Sequence, residues 1–137
     1  MASILRAIPF LVFPIILYAA VAFFLDHASV RASLNEPFFG FTLPSGAPFV
    51  ITRGYGFVML AALLLFIEII KSTRATASTM VENSLAFIVF IVAFILFLLH
   101  QSFGTIEFAL IMVMTLIDFM AGFIVMAMTA RRDTAIH

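Results

Sequence analysis

The sequence predicts an all-α membrane protein: a single integral membrane domain, residues 1–137, with four transmembrane helices in an up-down bundle. Three observations predict it. Apolar residues make up 65% of the chain, against about 45–50% in soluble globular proteins. Charged residues make up 10%, where about 25% is usual. The apolar residues also gather into four runs that are apolar all round, the pattern of helices in lipid rather than of alternating barrel strands. Seven Lys and Arg balance seven Asp and Glu, so no basic face suits a nucleic acid. The absence of Cys excludes a disulfide scaffold, thiol–disulfide chemistry and cluster ligation.

The runs place the helices at about 7–25, 54–72, 83–101 and 106–130. Ala7 to Leu25 holds no charge, and its 19 residues are close to the roughly 20 that cross a hydrocarbon core. Pro9 and Pro14 are tolerated there, with a kink expected near Pro14. A cleaved signal peptide ending at Ala20-Val21-Ala22 is the rival reading, but the run is long for its apolar region. The second run, from Gly54, carries Glu68 near its end. Leu85 to Leu99 has no polar side chain, and Glu82, Asn83 and Ser84 form its polar start. The fourth, Phe108 to Ala130, carries Asp118 near its middle.

Short-flank Lys and Arg set the orientation. Arg6, Lys71, Arg74, Arg131 and Arg132 fall on one side, and Arg31 and Arg53 on the other. The expectation is both termini in the cytoplasm, an outer loop 26–53 and a tight outer turn, His100 to Thr105. Pro37, Gly40, Pro44, Gly46 and Pro48 predict that no regular helix runs through the outer loop. Its stretch Pro37-Phe38-Phe39-Gly40-Phe41 is expected to rest at the lipid headgroups or cap the bundle. Alternatives are a lid over a ligand and a lipid- or quinone-binding module beneath it.

Asp118 is the most informative residue. A carboxylate at a helix centre costs about 2.5–3.5 kcal/mol to insert, and the ten Leu, Ile, Phe and Val of its run return roughly 3–6 kcal/mol. Glu107, Thr115, Gly122 and Thr129 all lie within about 60° of Asp118 around the helix. That stripe should face the bundle or a protein partner rather than lipid. Counted from Arg6 and Arg131 along ideal helices, Tyr18 and Asp118 fall at similar depth, so a Tyr18–Asp118 hydrogen bond is expected. The intramembrane polar site is therefore Asp118, Tyr18, Thr115 and Gly122.

Other polar residues receive simpler readings. Glu68 and Lys71 form an i,i+3 pair at the cytoplasmic boundary, with Arg131 and Arg132. His27, His100 and Glu107 mark the outer boundary. Two matched histidines can ligate haem iron, or zinc with Glu107, but solvated boundary residues are the plainer account. His137, at the chain's end, is read as unstructured. Met112, Met114, Met120, Met126 and Met128 are packing residues rather than a copper path. No metal and no cofactor are expected. There is no Walker loop, zincin pair or nucleophile elbow, and Gly54-Tyr55-Gly56 lacks a third glycine and is expected to follow no strand. Enzymatic activity is not expected.

Ala62 to Lys71, Asp118 to Gly122, and Ala130-Arg131-Arg132-Asp133 resemble the small four-span inner-membrane proteins of Gram-negative bacteria. The resemblance implies a bacterial inner-membrane location and no activity. The first run lacks the acid that small multidrug exporters carry there. The resulting expectation is a non-enzymatic accessory or interaction subunit of a larger membrane complex. Its partners would be the lipid bilayer and other membrane subunits or a second copy, and not nucleic acid. The alternative is a small proton- or cation-coupled transporter or channel using Asp118.

Overall fold

The computed structural model describes residues 7–74 and 79–136; Arg6 and His137 lie outside them. The elements are α1 (Val12–Phe24), α2 (His27–Asn35), β1 (Pro37–Thr42), β2 (Pro48–Thr52), α3 (Arg53–Ser72), α4 (Thr79–Leu99), a short 3₁₀ turn (Gln101–Phe103) and α5 (Ile106–Ile136). Among the described residues, three helices, α3, α4 and α5, are long and apolar enough to cross a membrane.

The first apolar run is not one helix from its start. Val12 N–H donates to the Pro9 carbonyl and Phe13 N–H to that of Phe10, a tight turn that delays α1 to Val12. Its 13 residues rise about 19.5 Å, short of a ~30 Å core. Pro14 lies in the first turn, where its missing N–H has no partner inside the helix, so it sits near the start of α1 instead of kinking a longer helix.

The outer loop is more ordered than its glycines and prolines predict. Those residues all lie after Asn35, and α2 forms before them. Asp26 caps α2 with extended backbone, and the Ser29 hydroxyl donates to its carboxylate. Val30 is buried and Leu34 half-buried one turn on. Pro37 forces Glu36 into an extended conformation and ends the helix. β1 and β2 then pair antiparallel. Their connection follows the three-residue pattern of a tight turn closed by a left-handed residue: Gly46 N–H donates to the Leu43 carbonyl, and Gly46 has φ +86°. β2 runs straight into α3, so Gly54-Tyr55-Gly56 does follow a strand. Thr52 caps α3 by accepting from Tyr55 N–H at 3.2 Å.

α5 is the organising helix. It packs along both α3 and α4, which barely meet each other, while α1 lies against α3, α5 and the 3₁₀ turn. Successive long helices run in opposite directions. Phe10 meets Glu68 near the end of α3, Gly54 at the start of α3 lies against Glu107 at the start of α5, and Lys71 meets Glu82 at the start of α4. The buried positions of α5 are Phe108, Ile111, Thr115, Asp118 and Gly122, alternating three and four residues apart as one inward stripe requires. Ala61 of α3 and Ala93 of α4 are fully buried, small residues that let backbones approach. At 31 residues, α5 outruns the predicted 106–130, and its exposed last turns carry Arg131 and Arg132.

Gly54 marks the tightest backbone crossing. A Cβ there would lie 2.9 Å from Glu107 Oε1 and 3.0 Å from the Leu34 carbonyl oxygen, whereas one on Gly56 would meet only Ile51 at 3.6 Å. Gly54→Ala is expected to lower stability in detergent by about 1–3 kcal/mol. Gly56→Ala is expected to leave it within roughly 0.5 kcal/mol or slightly raised; equal thermal shifts for the two would contradict this packing.

The Ser29 hydroxyl, the largest influence, holds the Asp26 carboxyl below its ordinary range. A depressed pKa contributes stability that is present above the unfolded value and lost as pH falls through the folded one. Amide protection factors over 27–35 should therefore fall below about pH 4. Unchanged protection at pH 3 would count against the cap.

Candidate functional site

Two buried polar networks occupy opposite ends of the helices. The first surrounds Tyr18, whose ring packs on Phe103 and Phe108 at centroid distances of 5.3 and 4.9 Å. Its hydroxyl lies 2.8 Å from the Ser102 carbonyl oxygen and 2.7 Å from Thr105 Oγ1. A carbonyl only accepts, so Tyr18 donates to Ser102, and Thr105 donates to Tyr18. Thr105 Oγ1 in turn accepts from Phe108 N–H at 3.2 Å and so caps α5. One hydroxyl of α1 thereby holds the α4–α5 turn and the start of α5 together.

The second network surrounds Asp118, which is 5% exposed. Glu68, Ser72, Glu82, Asn83, Ala86, Asp118 and Gly122 line one cavity of about 20 Å³, room for a single water by volume. Glu68 is itself buried. Its Oε2 accepts from Phe10 N–H at 3.1 Å, and its Oε1 from Lys71 Nζ at 3.2 Å. Lys71 also reaches Glu82 at 3.9 Å and lies 5.0 Å from the Phe10 ring centroid. Asn83 Oδ1 is buried without a hydrogen-bond partner among the described residues. It presses on Gly122, where an added Cβ would overlap it.

The expected Tyr18–Asp118 hydrogen bond is not made. The depth estimate assumed that Arg6 and Arg131 sit at the same interface and that one helix runs unbroken from Arg6. The turn at Pro9–Leu11 breaks the helix. Phe10, four residues from Arg6, already meets Glu68, whereas Asp118 is 13 residues from Arg131. Phe10, not Tyr18, reaches the level of Glu68 and Asp118, and Tyr18 lies eight residues further, about 12 Å along a helix. Thr105, which Tyr18 does meet, is 13 residues from Asp118, or about 19.5 Å. Between the networks stand Leu11, Phe108 and Ile111, each fully buried. Thr115 is buried too, but its hydroxyl is spent on the Met112 carbonyl at 2.6 Å.

Of the other predicted residues, Glu68 and Lys71 pair as expected, while Arg131 and Arg132 are exposed. Thr129 is half-buried and bonds the Val125 carbonyl. Glu107 is half-buried against Gly54. His27 and His100 line one cleft of about 430 Å³ that does not include Glu107, and His100 Nδ1 accepts from Ser102 N–H. Among the described residues, no three His, Cys, Asp or Glu side chains are placed to hold a metal ion.

Sequence reasoning missed Asn83, Thr105 and Ser102 as partners. A signal existed for Asn83. It shares a helical stripe with Ala86 and Ala93, which are also buried, and small residues at that spacing mark a contact face. Nothing local marked Ser102, whose contribution is a backbone carbonyl. Comparison with family models, curated proteins and solved structures finds no match for this chain.

Separate networks make a definite prediction. Tyr18→Phe and Asp118→Asn should change detergent stability additively, to within about 0.5 kcal/mol; a larger coupling would place the two groups in one network. Asn83 and Gly122 should couple instead. Gly122→Ala should destabilise the protein, and Asn83→Ala should relieve most of that loss in the double variant, measured by thermal unfolding.

Proposed function

We propose that this chain is a bacterial inner-membrane protein whose four apolar segments cross the bilayer, both termini in the cytoplasm. We propose that it acts as a non-enzymatic interaction subunit of a larger membrane assembly. The Glu68 end, with Lys71, Arg131 and Arg132, would be the cytoplasmic one, following the excess of basic residues there. The stretch from Ala7 through the Pro9 turn would complete the crossing that α1 alone is too short to make.

The observation that carries this reading is the apolar plug of Leu11, Phe108 and Ile111, all without exposed area, between the two polar networks. A proton or ion route needs polar stations or water along its length, and here the acid is enclosed with its own neighbours. Asp118, Glu68 and Glu82 therefore serve best as a knot that fixes α3, α4 and α5 in register. With that knot consumed internally, what remains for partners is apolar. α3 exposes Met59, Leu63, Phe66 and Ile70, and α4 exposes Ile88, Val92, Ile95 and Leu98. Because both pack on α5 and hardly on each other, those faces flank a thin layer of helices and suit lipid or neighbouring helices.

The alternative, a proton- or cation-coupled transporter using Asp118, draws on the unpartnered Asn83 Oδ1 in the same cavity. Two measurements separate the readings. Purified protein in liposomes should give no pH-driven proton or monovalent-cation flux above that of Asp118→Asn. Native mass spectrometry of chromosomally tagged protein from mild detergent should give a defined stoichiometric assembly. Flux abolished by Asp118→Asn, from a protein that runs alone, would overturn the proposal.

A further inference from the structure

Most side chains of the β-hairpin pack against nothing outside it in the described residues. Residues 37–52, PFFGFTLPSGAPFVIT, contain no charged residue, and every residue of β1 is exposed. Phe38 is 74% exposed, and Phe39, Phe41, Phe49 and Val50 are exposed as well. A contiguous exposed apolar patch on a small protein marks an interaction surface.

The pairing register defines which rings act together. Phe41 stands opposite Phe49, and Phe39 opposite Ile51, so these four share one face of the ribbon. Their rings form a continuous platform, Phe39 to Phe41 at 5.8 Å and Phe41 to Phe49 at 5.4 Å between centroids. Ile51 also shows where that face looks. A Cβ built on Gly56 would meet Ile51 Cγ2 at 3.6 Å, so the Phe face is the one turned toward the first turn of α3. It continues the exposed apolar side of α3, Tyr55, Met59, Leu60 and Leu63.

We propose that the Phe39–Phe41–Phe49 platform rests on the bilayer beside the start of α3, with the hairpin lying flat along the headgroup layer. This rests on the membrane reading above. Three arguments favour lipid over a protein partner. The platform is continuous with the apolar surface of a candidate span. The ribbon carries no charge to give a protein partner specificity or register. An ion pair, Arg53 to Glu36 at 2.7 Å, sits at its base, where charged groups meet headgroups and water.

Geometry sets the orientation. A two-stranded ribbon has an unpaired edge on each strand, and such edges are not tolerated inside hydrocarbon. Six residues of strand extend about 20 Å. The headgroup layer is only about 5–7 Å thick on each side. The ribbon therefore cannot stand upright within that layer, and lying flat leaves its edges to water and headgroups while the rings dip toward the acyl chains.

The chain contains no Trp, so a single introduced Trp reports one site. Full-length Phe41→Trp and Phe49→Trp, in phosphatidylcholine vesicles, would be read against lipids brominated near the glycerol end or near the acyl terminus. Leu63→Trp in α3 serves as the reference. Blue-shifted emission from both hairpin variants, quenched best by the shallow bromines and equally in the two, is the expected result. Quenching of Leu63→Trp but not of the hairpin variants overturns the proposal and leaves the membrane reading standing. Blue-shifted emission without lipid quenching points to a covering strand or a second copy and overturns it as well. Failure of all three to quench sinks the membrane reading itself.

Discussion

Desolvation of polar groups on α5 is the constraint on which the structure depends. This helix carries Thr115 and Asp118 inward between α3 and α4, where an unpaired charge or hydroxyl is costly. Each is answered differently. Thr115 returns its hydroxyl to its own backbone. Asp118 is enclosed beside Glu68, Glu82 and Asn83, with Lys71 bridging the two glutamates. The long helices are thus registered at one end by charge and at the other by the Tyr18 hydroxyl. Fully buried Leu11, Phe108 and Ile111 fill the space between.

This division explains why the helices form a layer around α5. The buried stripe of α5 runs from Phe108 and Ile111 through Thr115 to Asp118 and Gly122, bulky at one end and polar and small at the other. α3 and α4 each contribute an alanine to its flanks and turn their bulky side chains outward. In water such faces would drive aggregation. In lipid they need no partner, because acyl chains are as apolar as the side chains they touch. Lipid-facing surface and partner-facing surface are then chemically alike, and the interaction reading of this protein rests on the closed polar interior rather than on any exposed motif.

The outer segment shows how local chemistry overrides a coarse rule. Prolines and glycines between 37 and 48 are real breakers, yet they interrupt only the chain beyond Asn35. Asp26 and Ser29 start a short helix before them, and Pro37 and Gly46 then serve the hairpin. Pro9 does the opposite. It sits in a run that reads as uninterrupted helix, and the turn it starts delays α1 to Val12 and leaves Phe10, not Tyr18, at the level of Glu68.

Composition and hydropathy by themselves determined that this is a helical membrane-type chain, where its long apolar segments lie, and that Thr115, Asp118 and Gly122 share an inward stripe. Those properties are local: each depends on residue type and on a 100° turn per residue, and neither needs a neighbour. Only tertiary structure decided which polar groups meet. Tyr18 finding Ser102 and Thr105, Phe10 N–H finding Glu68, and Asn83 pressing on Gly122 depend on where α1 begins and how α5 sits between its flanking helices. A hydrogen bond needs two partners placed to within a few tenths of an ångström, and the roughly 12 Å that separates Tyr18 from the level of Asp118 along the helix is far larger than that.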